Sequence, residues 1–424
     1  MPENLLHFIW QQKLFMRFEQ FTTEGMKVEV IDTGRHNTDG GPDFFNAKIR
    51  IGEQIWVGNV EIHINSSDWY KHHHDSDTAY DNVILHVVLN ADTQVRTTSG
   101  EIIPQCQLRF PQSVKEKYLQ WLVSDKFAAC HDDIKNIPNI YIEDWKTSLL
   151  ADRLLKKSKA IHDILSLYHN NWEETFYIVM AHYFGFHTNG APFEMTAKSL
   201  PLSYIGKHRD NLFQIEALLF GQAGMLADNG EHDTYYTELR HEYNFLQNKF
   251  QLTPIDGSMW KFLRMRPDNF PTVRIAQFAA LLHKSDHLFA TLLGASDIEE
   301  LQQIIDVNAS EYWDTHYKFD TPSIKRTKHL GINAINTIII NVVVPFLFAY
   351  GLEHDMPPYQ ERAEILLDNI PYEKNSIISN WKETGINVKS AADSQALIHL
   401  HEYYCTDKRC LHCRVAKALT LSSR

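Results

Sequence analysis

The hydrophobic period of this chain changes once along its length, and that change sets the fold classes open to it. Up to Pro111 apolar residues recur at alternate positions in short runs broken by glycine and proline. From Ser113 onward they recur at helical spacing. Alternation puts successive side chains on opposite faces of a strand, whereas helical spacing gathers them into one stripe. The expected fold is therefore α+β, an N-terminal mixed β-sheet domain followed by an all-α domain. The composition breaks around residues 135–139, with Pro138 inside, and this places the boundary between domains 1–137 and 138–424.

Within the first part the pattern predicts a helix from Asn4 to Phe18 and strands from Met26 to Asp32, Phe44 to Ile51 and Gln54 to Ile64. A short helical stretch from Ser66 to His74 and a strand from Asn82 to Leu89 follow. Gly52-Glu53 turns one strand into the next. Residues Gln94 to Thr98 and Glu101 to Arg109, joined through Ser99-Gly100, read as a second hairpin that extends the sheet. In the second part helices are expected at, among others, Ile142 to Tyr168, Trp172 to Phe184, Leu212 to Leu226, Tyr235 to Phe250 and Ala391 to Tyr404. The apolar run Ile335 to Tyr350 is interrupted by Asn336, Asn341 and Pro345 and falls short of the roughly 20 residues a bilayer needs, so it reads as a core helix kinked or ended before Pro345 and no membrane is expected.

The stretch from Gly40 to Val88 is the densest in groups that bind metal or move protons: Asp43, Glu61, His63, Asp68, the run His72 to His74, Asp75 and His86. Glu61 and His63 are two apart and share a strand face, while Val60, Ile62 and Ile64 take the core face. A hairpin between the strands brings Asp43 beside Glu61. The roles of His72, His73, His74 and His86 stay open at this point, and Asp68 is expected either to cap the short helix or to support the site from behind.

These residues resemble the signature of the PD-(D/E)XK nuclease superfamily: Pro42-Asp43 at a strand, then Glu61-Ile62-His63 on its partner, in the order helix, three strands, helix, strand. His63 stands where that superfamily usually has lysine. The resemblance implies a nuclease-like fold and a divalent-metal-dependent phosphodiesterase or nuclease acting on nucleic acid. Asp43 and Glu61 would hold Mg²⁺ or Mn²⁺, with Asp43, Glu61 and His63 as catalytic residues. Neutral His63 can accept a proton near pH 7 but lacks lysine's fixed charge. Two other readings stand beside it: a non-catalytic scaffold or binding protein on a degenerate nuclease-like fold, and a metal-dependent hydrolase of another substrate. In length and in its string of motifs the whole chain also resembles a bacterial family of unknown function, which implies no activity.

The net charge of −12 excludes a protein coated in positive potential. DNA or RNA would have to be met by local basic patches, at Lys261 to Arg274 or in the tail beyond Cys405. Five cysteines, three of them crowded near the end, do not form a disulfide framework, and the start has no signal-peptide pattern, so a cytoplasmic protein is expected. Cys405, Cys410 and Cys413, with His401 one helical turn before Cys405, suit zinc or an iron–sulfur cluster of structural role. Cys106 or Cys130 is the alternative fourth ligand.

Overall fold

The alternating runs form a mixed sheet of seven strands in the computed structural model, which describes residues 1–228 and 230–422. The strands are β1 (Gln20–Phe21), β2 (Lys27–Asp32), β3 (Arg35–His36), β4 (Phe44–Ile51), β5 (Gln54–Asn65), β6 (Val83–Asn90) and β7 (Gln105–Gln107). Their order is β1-β2-β4-β5-β6-β7, with β3 paired to β4. Pairing is antiparallel as far as β5 and parallel from β5 through β6 to β7. Gly52, at φ +58°, occupies the first turn position of the β4–β5 hairpin, where Ile51 faces Gln54. Gly34 has φ +83°, and a Cβ there would stand 2.6 Å from the Phe45 carbonyl oxygen, so only glycine lets the chain fold back onto β4. Thr22 bridges to Cys106, bringing the first strand beside the last, and the sheet nearly closes on itself.

Two expectations change in this part. Helix α1 (Glu3–Gln11) stops short of Phe18 because Lys13 adopts a left-handed φ of +53°, although Leu14 and Phe15 remain buried. The second hairpin shrinks to a single bridge between Arg96 and Ile102. Only Gln105–Gln107 joins the sheet, parallel to β6, after His86 N–H has donated to the Pro104 carbonyl.

The chain divides into two compact units. One comprises Met1–Trp145, Asn380–Ile386 and the segment from His399 onward; the other comprises Lys146–Ser379 and Asn387–Ile398. The cysteine segment thus belongs to the sheet-bearing unit rather than to a helical domain 138–424, and the break at Pro138 precedes the division at Trp145. The cause is packing that sequence proximity does not reveal: His401 rests edge-on against Phe127 at 4.2 Å, Tyr404 against Trp145, and Lys408 donates to the Leu122 carbonyl at the end of helix α3 (Gln112–Val123).

The second unit is helical around a core rich in aromatics, with a two-stranded ribbon at His316–Lys318 and Thr321–Pro322. Helices form at Trp172–Phe184, Leu212–Gln222 and Thr234–Phe250 much as the period predicts. A helix at Phe186–Ser199 escapes that reading because Gly190 and Pro192 lie inside it and Asn189 departs from helical geometry. The apolar run continues through Pro345 instead of ending before it. A π turn at Ile339–Val343 widens the helix where the proline lacks an N–H and its ring would crowd the preceding turn. This stretch, Ile332–Glu353, is long and apolar enough to cross a membrane, and 67% of its most apolar window is buried inside the protein.

Glu216 lies in this core, on the helix Leu212–Gln222. Tyr235 donates to its Oε2 at 2.9 Å, and its Oε1 is buried without a partner. Burial raises the carboxyl from 4.5 to about 7 in the folded protein, against the opposing pull of Ser310 and Tyr235. The folded state therefore holds this proton more tightly than the unfolded chain. The associated stability is complete below pH 4.5 and is lost as pH rises through about 7, an effect of about 3 kcal/mol. Glu216→Gln should remove that dependence and show a higher Tm than wild type at pH 8 but not at pH 4.5. Parallel Tm-versus-pH curves for the two proteins would contradict it.

Candidate functional site

Asp43 and Glu61 hold each other in place. The backbone N–H of Asp43 donates to Glu61 Oε2 at 3.1 Å, and the N–H of Ile62 donates to Asp43 Oδ2 at 2.9 Å. The glycine-rich loop before Asp43 is fixed by Asn37, whose side chain reaches the carbonyls of Asp39, Gly40 and Pro42 and whose own N–H meets the Asp43 carbonyl. β4 and β5 thus deliver the two carboxylates to one place, as the hairpin reading expects.

Around Glu61 the structure gathers imidazoles. His63 Nε2 stands 3.5 Å and His74 Nε2 3.3 Å from Glu61 Oε1, and His63 Nε2 stands 3.1 Å from His72 Nδ1. One nitrogen from each of His63, His72 and His74 lies within 4.8 Å of the others. His72 and His74 are two residues apart and would diverge on a regular helix. Between them His73 takes a left-handed φ of +62°, which turns the chain so that both neighbours reach His63. For a residue with a Cβ this conformation costs on the order of 1–2 kcal/mol, and such strain gathers at functional sites.

Behind the first ring of groups, β6 places His86 opposite Glu61, and His86 Nε2 meets His63 Nδ1 at 2.9 Å. If His63 donates from Nδ1, its Nε2 lone pair faces Glu61 and His72, which is how an outer-shell partner orients a ligating imidazole. Trp69 and Tyr80 form the floor, Tyr80 stacking on His74 at 3.7 Å. Asp68 holds the turn by accepting from the Asn65 N–H and from Lys71, and does not point at the cluster's contacts.

The site's electrostatics follow from burial. Burial, then the nearby Asp43 charge, pushes the Glu61 carboxyl far above the usual carboxylate range. Burial, reinforced by His86, His72 and His74, drives His63 down to about 2, and His86 falls to about 3 for the same first reason. His74 is lowered by burial as well. The buried imidazoles are therefore neutral and offer lone pairs, while a carboxylate among them lacks a compensating cation. His7, on α1, contacts Asp43 Oδ2 at 3.3 Å; burial lowers it, but Asp43 outweighs burial and holds it above its ordinary value. A divalent ion fits this donor set. Bonds of about 2.0–2.1 Å to imidazole nitrogens would set ligand-to-ligand separations of roughly 3.3–3.4 Å in a tetrahedral site, close to the His74–Glu61, His63–Glu61 and His63–His72 contacts.

Asp43, Glu61 and His63 come together as expected. The sequence reading did not find His7, whose only signal is its place four residues after Glu3, nor the convergence of His72 and His74, which depends on the turn at His73. At the other site Cys405, Cys410 and Cys413 gather with Cys130, whereas His401 lies against Phe127 and Cys106 is buried in the sheet at the Thr22 bridge.

Fold and site define an α+β protein in which a nearly closed mixed sheet carries a buried carboxylate–imidazole cluster. Residues 3–376 match the family described as protein of unknown function (DUF2851), and the chain belongs to that family. No curated protein and no solved structure matches the chain.

Proposed function

We propose that the sheet-bearing unit is a divalent-metal-dependent phosphodiesterase of the PD-(D/E)XK nuclease type, acting on DNA or RNA. The observation that carries this reading is the meeting of Asp43 and Glu61, locked by reciprocal backbone hydrogen bonds, with His63 and His74 against Glu61 Oε1 and His72 against His63. The order α1, β2, β4, β5, the short helix Asp68–Lys71 and β6 supports it, with the β4–β5 hairpin antiparallel and β6 parallel to β5.

Glu61, His63, His72 and His74 would hold the ion, and Asp43 Oδ2 is committed to the Ile62 N–H and His7. Imidazole donors favour Mn²⁺ or Zn²⁺ over Mg²⁺, which prefers an all-oxygen shell. The ion would supply Lewis-acid polarisation of the scissile phosphate and a lowered pKa for the attacking water. His86 fixes the orientation of His63, and the Ile62 N–H fixes that of Asp43. In the helical unit Arg266, Arg274, Arg326, Lys328 and His329 line a cavity of about 650 Å³ together with Asp268. Arg274 is buried there over the Phe186 ring at 4.8 Å, and burial lowers it only to about 10, so it stays charged at neutral pH. Such a cavity suits a phosphate-bearing partner. The cysteine chemistry suits the cytoplasm.

Full-length protein loaded with Mn²⁺, Zn²⁺ or Mg²⁺ and offered single-stranded DNA, duplex DNA, RNA and a simple phosphodiester should cleave at least one of them with Mn²⁺ or Zn²⁺. Chelation and Glu61→Gln should abolish that cleavage. Equal activity in wild type and variant would assign it to another source. A protein that binds the ion but hydrolyses no phosphodiester would sink the nuclease reading and leave a metal hydrolase of another substrate.

A further inference from the structure

All five cysteines are free thiols, and four of them share one small region of the sheet-bearing unit. The sulfur of Cys405 is influenced by those of Cys413, Cys130 and Cys410, and that of Cys130 by Cys413 and Cys410. Cys130 and Cys413 are buried, and Cys405 and Cys410 are half-buried. Special local geometry presents them. Cys405 ends a π turn, His401–Cys405, that interrupts the regular helix before it. Lys408 takes a left-handed φ of +51° to reverse the chain, and a single 3₁₀ turn, Cys410–His412, leads into Cys413. Cys413 sits at the start of the helix Arg414–Ser422, where the backbone N–H groups of Val415 and Ala416 point at its sulfur. The buried indole N–H of Trp145, which has no oxygen or nitrogen acceptor, lies beside the same sulfur. Burial raises the Cys413 thiol, and these donors act against it in favour of the thiolate.

We propose that Cys130, Cys405, Cys410 and Cys413 ligate a [4Fe–4S] cluster. The spacing is wider than a mononuclear zinc ion would draw. Zinc bonds of about 2.3 Å draw four sulfurs to roughly 3.8 Å from one another. Among the described residues no three of these sulfurs lie within 4.8 Å of one another. A polynuclear cluster, whose ligated irons are themselves separated, holds its four thiolates further apart. Loading requires iron and sulfide and releases the thiol protons. The cluster ties the terminal segment to the segment that carries Cys130, close to the carboxylate site: His412, between Cys410 and Cys413, influences His36, which packs against His7 and Phe44 beside Asp43.

The inference is independent of the phosphodiesterase reading. Full-length protein purified without oxygen should be brown and contain iron and acid-labile sulfide in equal amounts, approaching ~4 of each per chain, with the visible absorbance and reduced-state paramagnetic signal of such a cluster. Cys130→Ser and Cys410→Ser should lower iron several-fold, whereas His401→Ala and Cys106→Ser should keep it. The spectroscopy of the unsubstituted protein stands even if a variant fails to fold. Zinc at ~1 per chain without sulfide, metal-free protein, or loss of iron in His401→Ala with retention in Cys130→Ser would each overturn the assignment.

Discussion

Glu61→Gln should give a protein that is more stable without metal and nearly unable to bind it. Glutamine keeps an oxygen for the Asp43 N–H, so the β4–β5 connection survives. It removes a buried carboxyl whose charged form is disfavoured by burial and by Asp43. Relief of such an uncompensated buried charge stabilises by about 1–4 kcal/mol. Metal affinity should fall by more than the ~10–100-fold that loss of an outer-shell partner costs, because the change removes the proposed ligand itself. Calorimetric titration with Mn²⁺ and Zn²⁺, together with Tm in chelator, checks both halves. Unchanged affinity would show that the carboxylate is not a ligand. A lower Tm would show that its hydrogen bond outweighs its burial.

Trp69→Ala should act in the opposite direction on stability. Trp69 is fully buried, 5.3 Å from both His74 and His86 and 5.8 Å from Tyr80, and its indole donates to the Arg96 carbonyl at 3.1 Å. Truncation opens a cavity under the histidines, and a loss of about 3–5 kcal/mol is the usual scale for such a change. Metal affinity should fall with it, because His74 loses the Trp69 ring against which it packs. Trp69→Phe keeps most of the packing and gives up the hydrogen bond, a change of about 1 kcal/mol, so it should retain the metal. Denaturant unfolding separates the cases. An alanine variant within experimental error of wild type would mean that Tyr80 alone sets the floor of the site.

The sheet around Asp43 was legible because its signals are local. Pro42-Asp43, the Gly52-Glu53 turn and the alternation through Val60 to Ile64 fix β4 and β5 to within a residue, and β6 is displaced from expectation by one residue at each end. What escaped depends on single backbone choices or on distant partners. Nothing in the run His72 to His74 signals that His73 is left-handed, yet that one dihedral decides whether two imidazoles face the carboxylate. Cys130 has no local mark distinguishing it from Cys106, and only the return of the chain near residue 399 selects it. The parallel placement of β7 and the bridge from Thr22 to Cys106 are long-range pairings, which composition and period do not encode.

The sheet-bearing unit is written in pieces, with Lys146–Ser379 and Asn387–Ile398 spliced between its beginning and its last segment. During synthesis, residues through Trp145 emerge well before the segment from His399 that completes their unit. At about 5–20 residues per second the delay is on the order of ten to fifty seconds. For that interval the nascent chain carries Asp43 and its histidines without Cys405, Cys410 and Cys413. A ribosome that stalls or terminates early in the helical stretch releases an unfinished sheet unit, with the carboxylate site made and the segment from His399 still missing.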